Sequence, residues 1–310
     1  ARAAYIGGCA SPACALADRD YGVPATGTMA HSWVQVFDSE YEAFKNYAQT
    51  YPDNSIFLVD TYNVVKSGVP NAIRVAREVL EPLGKRLKGV RIDSGDIAYL
   101  SKKARSMLDA AGMQDCKIMA SNSLDEYLIR DLLVQGAQVD MFGVGENLIT
   151  SKSDPVFGGV YKLAAVEREG VLVPRIKISE SIEKLTTPCF KDLYRFYNRE
   201  TGQAIADYVT IRGEQVDDSQ PITIFDPVAT WKKKTVTNFR AERLLVPIFE
   251  GGKCVYQLPT LQQVRAYSMA QVDTLWEEVK RFEHPHRYYV DLSDRLWNER
   301  NDLLEQMSAN

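Results

Sequence analysis

The feature that most constrains the fold is a recurrence. Between residues 20 and 165, short apolar runs rich in β-formers return roughly every 25 to 35 residues, about the length of a βα unit. They span residues 21–29, 55–61, 89–93, 117–121 and 139–144. Each is followed by a polar or Gly-containing turn, as expected of strands buried on both faces. The segments between them read as helices. After Pro70, Ala72, Val75, Ala76, Val79, Leu80 and Leu83 recur at three- and four-residue spacing. Residues 123–135 repeat the pattern with Leu124, Leu128, Leu132 and Leu133, and Gly136 lies just beyond. Such alternation predicts a parallel sheet, and periodicity leaves open whether it closes as a barrel or spreads as a doubly wound layer.

The texture changes after about residue 165. Residues 171–178, 193–197, 204–211 and 243–249 read as strands of an antiparallel sheet. Glu169-Gly170, Glu200-Thr201-Gly202 and Glu250-Gly251-Gly252 supply turn chemistry. Residues 258–283 and 292–307 read as helices rich in Glu, Arg and Leu. The predicted organisation is a barrel-like region over 1–165, a β-rich region over 166–256 and a helical segment over 257–310.

Composition narrows the function classes. With 37 Lys and Arg against 41 Asp and Glu, the net charge is −4, and no basic run exceeds Lys232, Lys233 and Lys234. A nucleic-acid partner is therefore not expected. The apolar runs fall far short of about 20 residues, so no membrane span is expected. Five Cys, at positions 9, 14, 116, 189 and 254, are odd in number and scattered. That usage fits a reducing compartment, and with no secretory pattern at the start it predicts a cytoplasmic protein. Cys9 and Cys14 are the one close pair, and nothing stands at zinc spacing from them. The opening residues, without a Met, read as the middle of a helix, so the chain is expected to lack its natural start.

Loops after strand C-termini carry ligand groups in parallel α/β folds. Five successive predicted strand ends here are polar clusters. They are Gly27-Thr28-Met29-Ala30-His31-Ser32, Asp60-Thr61-Tyr62-Asn63, Arg91-Ile92-Asp93-Ser94-Gly95-Asp96, Ser121-Asn122-Ser123 and Gly143-Val144-Gly145-Glu146-Asn147. Any one alone reads as a helix cap. Five on one rim, with Arg, His and several carboxylates, favour a site for a phosphorylated, metal-bound anion. Gly143 and Gly145 ahead of Glu146 and Asn147 can offer N–H groups to phosphate. Asp60, Asp93 and Asp96 offer hard oxygens for Mg²⁺ or ribose hydroxyls. Arg91 is a planar fork suited to carboxylate or phosphate. His31, one of three His, stands directly after a predicted strand and is the candidate catalytic residue. His284 and His286 lie in a polar stretch and read as surface residues.

At these motifs the sequence resembles nicotinate phosphoribosyltransferases. The resemblance runs through residues 2–8 (RAAYIGG), 21–33 (YGVPATGTMAHSW), 58–71 (LVDTYNVVKSGVPN), 89–96 (GVRIDSGD), 121–125 (SNSLD) and 142–163 (FGVGENLITSKSDPVFGGVYKL), and more loosely through 174–195. It implies an α/β fold of the type II phosphoribosyltransferase kind, an irregular α/β barrel beside an α/β sandwich domain with C-terminal helices, working as a homodimer with a shared active site. It implies a glycosyltransferase of NAD salvage, coupled to ATP like a ligase. Nicotinate and 5-phosphoribosyl-1-pyrophosphate condense to nicotinate mononucleotide and pyrophosphate, with Mg²⁺ as cofactor and ATP as co-substrate.

The resemblance also assigns residues. The histidine matching His31 is transiently phosphorylated, making His31, Arg91 and Asp93 the expected catalytic set. Thr28 and Arg91 match positions that contact nicotinate. Ser32, Asp60, Thr61, Asp93, Ser94, Gly95, Ser121 and Asn122 are expected around the substrates. Gly143, Gly145, Glu146 and Asn147 are expected at the phosphate, and the metal ligands are not assigned. Relatives begin well before RAAYIGG, and that stretch brings an aromatic residue that stacks on the pyridine. Many also carry Gly-Thr-Ser-Asn where this chain has residues 9–14 from Cys9 to Cys14. The alternatives are a nicotinamide or quinolinate phosphoribosyltransferase, or a non-catalytic ligand-binding fragment.

Overall fold

Four short strands build the sheet of the N-terminal half: β1 (Ile56–Leu58), β2 (Gly89–Ile92), β3 (Lys117–Ala120) and β4 (Met141–Phe142). All pair in parallel, in the order β1-β2-β3-β4, with Leu58 opposite Arg91, Arg91 opposite Met119 and Ala120 opposite Phe142. A doubly wound sheet reverses its strand order at a switch point, whereas strands of a barrel follow chain order. The order is unreversed, as in an arc of a barrel, and these four strands contain no switch point. The structure, a computed structural model, describes residues 1–156, 158–180 and 184–308. The last two residues of the predicted helical segment lie outside them. The chain divides into two units, Ala1–Phe157 and Gly158–Asn310.

In the first unit, helices α1 (Arg2–Ile6), α2 (Ala15–Tyr21), α3 (His31–Val36) and α4 (Glu40–Thr50) precede the sheet. Helices α5 (Val69–Val75), α6 (Ile97–Ala110) and α7 (Glu126–Val134) alternate with its strands, and α8 (Glu146–Ile149) follows β4. Polar residues start three of these helices, α4, α6 and α7, by side-chain capping. Ser39 accepts from Glu42 N, Asp96 from Tyr99 N, and Asp125 from Leu128 N. The sheet buries Phe57, Leu58, Val59, Val90, Ile92 and Ile118, and Phe57 stacks on Phe44 of α4 with centroids 4.8 Å apart. Gly68, just before α5, presses against the end of β1. A Cβ there would lie 1.9 Å from Val59 O.

One predicted strand of this unit is absent. Residues 15–21 are α2, and 22–30 pair with no strand. Gly22 ends α2 in the left-handed region (φ 62°), and Pro24 has no N–H to give a ladder. His31 accordingly opens a helix after an extended segment rather than following a strand.

The second unit is β-rich. A hairpin of β5 (Ala165–Arg168) and β6 (Val171–Pro174) turns at Glu169-Gly170. The main sheet joins β7 (Lys191–Asn198) to β8 (Ala204–Ile211) antiparallel. Next come the hairpin β9 (Ile222–Phe225) and β10 (Lys233–Val236), then β11 (Phe239–Arg243), β12 (Phe249–Glu250) and β13 (Lys253–Cys254). Helices α9 (Leu261–Asp273) and α10 (Glu277–Lys280), strand β14 (Val290–Leu292) and helix α11 (Asp294–Ser308) complete it. The sheet order is β11-β7-β8-β14, with β14 parallel to β8. The strand expected over 243–249 is displaced: β11 ends at Arg243. The lysine-rich β10 and the three-residue β14 carried no strand signal, and β9 escaped with them. His284 and His286 are exposed, as read from sequence.

Candidate active site

Arg91 organises the rim of the parallel sheet. It lies on β2, partly exposed, and its guanidinium spreads toward three segments. Nε donates to Ser121 Oγ at 2.8 Å, Nη1 to Thr28 Oγ1 at 2.8 Å, and Nη2 lies 3.1 Å from Asp93 Oδ1. A longer contact of 3.5 Å runs from Nη1 to Met29 O. Ser121 passes its own hydrogen to Asp93 Oδ1 at 2.5 Å. Burial alone would raise the Asp93 pKa, but the bonds from Ser121 and Arg91, with Arg91 and His31 charge nearby, hold it below the usual carboxylate range. Arg91 and Asp93 are therefore charged partners in a fixed frame. Thr28 accepts from Arg91, and its own hydrogen has only a 3.5 Å contact to Met29 O. That hydrogen can turn to an acceptor brought by a ligand.

His31, the first residue of α3, faces the same rim. Nδ1 lies 3.1 Å from Thr61 Oγ1, while Nε2 lies 3.8 Å from Asp60 Oδ1 and 3.6 Å from Asp93 Oδ2. The two carboxylates are too far for hydrogen bonds and close enough to act on charge at the ring. The His31 side chain keeps 39% of its surface exposed, so it is reachable. Asp60 is different, with only 2% of its side chain exposed. Its Oδ2 accepts from Asp93 N at 3.1 Å and from Ser94 Oγ, while Oδ1 is buried without a hydrogen-bond partner among the described residues. Asp60 thus braces the loop after β2 from beneath. Its neighbour Asn63 caps the following turn through Val65 N and Lys66 N.

The remaining expected residues fall into distinct places. Ser32 is the exposed second residue of α3. Gly95 sits at φ 80°, making the tight turn that delivers Asp96 to cap α6. Asn122 and Ser123 also hold positive φ, 93° and 51°, an uncommon conformation beside the Ser121 contacts. Beyond β4, Gly143 N donates to Ala120 O at 2.8 Å, so that N–H is already engaged. Gly145 caps α8, and Glu146 is exposed at its first position. Asn147 turns inward, its Nδ2 donating to Ser123 O at 3.0 Å and Leu124 O at 3.2 Å. The side chain of Asn147 ties two loops together instead of facing outward.

The structure thus gathers Thr28, Asp60, Arg91, Asp93, Ser94 and Ser121 into one hydrogen-bonded cluster, with the His31–Thr61 pair set against its carboxylates at 3.6 and 3.8 Å. Gly143, Gly145, Glu146 and Asn147 lie at the end of β4, tied to that cluster by way of the Ser123 and Leu124 backbone. Sequence reasoning missed the buried Glu40, which feels the charge of Asp60. At the start of α4, followed by Tyr41 and Glu42, it carries no sequence signal that separates it from the ordinary acidic residues of a helix's first turn.

Among the described residues no helix is long and apolar enough to cross a membrane, and no three His, Cys, Asp or Glu side chains gather as metal ligands. The sequence profile of the nicotinate phosphoribosyltransferase (NAPRTase) family matches residues 11–215, and that of the nicotinate phosphoribosyltransferase C-terminal domain matches residues 190–300. Nicotinate phosphoribosyltransferase of Bacillus subtilis is 45% identical over the whole chain, which covers 62% of that protein. The Homo sapiens enzyme is 30% identical, with 98% of this chain aligned to 65% of it. The crystal structure of human nicotinic acid phosphoribosyltransferase superposes with a TM-score of 0.76 at 27% identity, covering 97% of this chain and 66% of that one. Nicotinate-nucleotide pyrophosphorylase of Pyrococcus furiosus follows with a TM-score of 0.60 at 26% identity, over 88% of this chain and 61% of that one. The chain spans about three fifths of the length of the curated relatives it matches.

Proposed function

The chain belongs to the nicotinate phosphoribosyltransferase family, and from that premise we propose that it carries the site that condenses nicotinate with 5-phosphoribosyl-1-pyrophosphate in NAD salvage. The products are nicotinate mononucleotide and pyrophosphate, and ATP hydrolysis drives turnover. The observation that carries this reading is the guanidinium of Arg91, fixed between Thr28, Ser121 and Asp93. The Arg91 side chain keeps 23% of its surface exposed, and the second N–H groups of Nη1 and Nη2, with the turnable hydroxyl of Thr28, suit a planar carboxylate. Nicotinate offers two acceptor oxygens to these donors. The amide of nicotinamide would set its own N–H₂ against them.

In the reaction the pyridine nitrogen bonds to ribose C1 as the C1–oxygen bond breaks and its electron pair leaves with pyrophosphate. No protein nucleophile is required, so catalysis is positioning and charge stabilisation. Arg91 and Thr28 orient the ring. Asp60 and Asp93 are placed to shape the sugar end, Asp93 directly and Asp60 through the loop it braces. The backbone around Gly145 and Glu146 stands at the phosphate end. His31, its ring oriented by Thr61, accepts the γ-phosphoryl group of ATP as ADP leaves, and water later cleaves the N–P bond to release inorganic phosphate.

Mg²⁺ fits this donor set in part. The unpaired Asp60 Oδ1 and the Asp93 Oδ2 both face His31 Nε2. Mg²⁺ is commonly held by one or two carboxylates plus substrate phosphates. When bound, it would neutralise charge developing on the pyrophosphate. A homodimer sharing its sites, with a partner segment covering the pyridine, belongs to the same proposal.

Competition among nicotinate, nicotinamide and quinolinate in one assay with 5-phosphoribosyl-1-pyrophosphate tests the reading. It expects nicotinate to be consumed. Preferential consumption of either rival contradicts the role given to Arg91, and no product from any substrate favours a binding fragment.

A further inference from the structure

A second carboxyl lies behind Asp60, and the reaction above does not use it. Glu40 is the first residue of α4, where an acid ordinarily stays in water and interacts with the helix terminus. Here it is 4% exposed. Its Oε2 accepts from Asn71 Nδ2 at 3.1 Å, and Oε1 is buried with no hydrogen-bond partner among the described residues. From the elements packed around it, the groups that act on Glu40 are Asn71 of α5, Ser67 of the preceding turn and Asp60 of the loop after β1. Only Asp60 among them titrates, and it carries the wrong sign to compensate a carboxylate. An ionised Glu40 would be a buried charge without a counter-charge, and such groups take up a proton instead. Burial is the largest cause pushing its pKa up; the Asn71 bond and the nearby Ser67 hydroxyl, which donates to Asn63 O, oppose it, and Asp60 adds to the rise.

The connections of Glu40 run to both sides of His31. Helix α4 follows α3, whose first residue is His31, and the two are tied by Trp33 Nε1 donating to Ala43 O at 3.2 Å. Asn71 belongs to α5, which continues the turn capped by Asn63, three residues past Asp60. The close approach of Gly68 to Val59 O leaves that junction no slack. We propose that Glu40 is a positioning residue: as a neutral carboxylic acid it ties the helix after His31 to the segment carrying Asp60 and Thr61, and so sets His31 between them. The kinetic consequence rests on the reading of His31 given above, while the structural claim has its own readout.

Three variants, Glu40→Gln, Glu40→Ala and Asn71→Ala, made in the natural protein, test this by His31 imidazole resonances, thermal midpoints across pH and steady-state kinetics. Glutamine copies a neutral acid, with one acceptor and one donor, so Glu40→Gln should leave the His31 resonance in place and turnover within about twofold. A raised folded-state pKa contributes stability at low pH that is lost as pH rises through it. The midpoint of Glu40→Gln should therefore climb relative to the natural protein with rising pH. Glu40→Ala and Asn71→Ala should shift the His31 resonance alike and lower kcat about tenfold with the nicotinate KM unchanged. Parallel midpoint curves for Glu40→Gln and the natural protein would overturn the neutral acid. An unmoved His31 resonance in Asn71→Ala, which remains informative if Glu40→Ala does not fold, would overturn the positioning role. A moved resonance in a protein that makes no nicotinate mononucleotide would support the positioning and remove the functional reading instead.

Discussion

Arg91 engages all three of its side-chain nitrogens with different neighbours, and each neighbour comes from a different segment of the chain. A lysine at this position would keep the charge and lose the fork, leaving Thr28, Ser121 and Asp93 to find other partners. Arg91→Lys should lower kcat/KM for nicotinate by roughly 10²-fold, the equivalent of about 2–3 kcal/mol, because bidentate geometry cannot be restored by a point charge. Discrimination against nicotinamide should shrink in parallel, and steady-state kinetics with both substrates measures the two effects together. This residue was legible from sequence because a planar cation followed by Ile92 and Asp93 at a strand end has few bland readings. Asp96 and Asn63 show the opposite case, since both prove to be helix caps. Asp60 was expected beside the substrates and proves to be a buried brace, which depends on contacts with Asp93 and Ser94 from another segment.

At the scale of elements, two turns carry sharp expectations. Gly68 permits α5 to start against β1, and the Cβ of Gly68→Ala would fall 1.9 Å from Val59 O. Backbone has to move, and the segment that moves carries Asp60. Gly68→Ala should cost about 1–3 kcal/mol of stability, seen in denaturant unfolding, and should weaken turnover as well. The β5–β6 hairpin offers the reverse case. Glu169 sits at φ 53° beside Gly170 at φ 79°, the conformation of a type I′ turn in which Asn is favoured over Glu. Glu169→Asn should stabilise by about 0.5–1 kcal/mol without touching the rim, and a raised thermal midpoint with unchanged activity is the expected result. Helices and buried strands were readable because periodicity reports burial directly. The segment over 22–30 misled because its composition suits an extended chain, whether or not a partner strand lies beside it. Strand β14 was invisible because three residues cannot show a period, and its burial comes from pairing with β8.

At the scale of the whole molecule, the first unit holds the candidate site and the second holds a separate dependence on pH. Asp291 on β14 is 3% exposed. Burial, then the charge of Asp226, pushes its pKa up to about 6, with Arg287 opposing. The stability it contributes is present below the ordinary carboxylate pKa and is lost as pH rises through about 6. Asp291→Asn should therefore leave stability nearly unchanged near pH 4 and raise it above pH 6, by on the order of 1–3 kcal/mol. Chemical denaturation at several pH values reads this directly. In the function proposed above, Arg91, Thr28 and Asp93 frame the substrate and His31 links that frame to ATP, so the coupling turns on one residue of the first unit. The most direct test is ATP-stimulated formation of nicotinate mononucleotide by His31→Ala beside the natural protein. The account predicts that the variant makes product at a low rate that ATP no longer raises; stimulation at the natural level would contradict it.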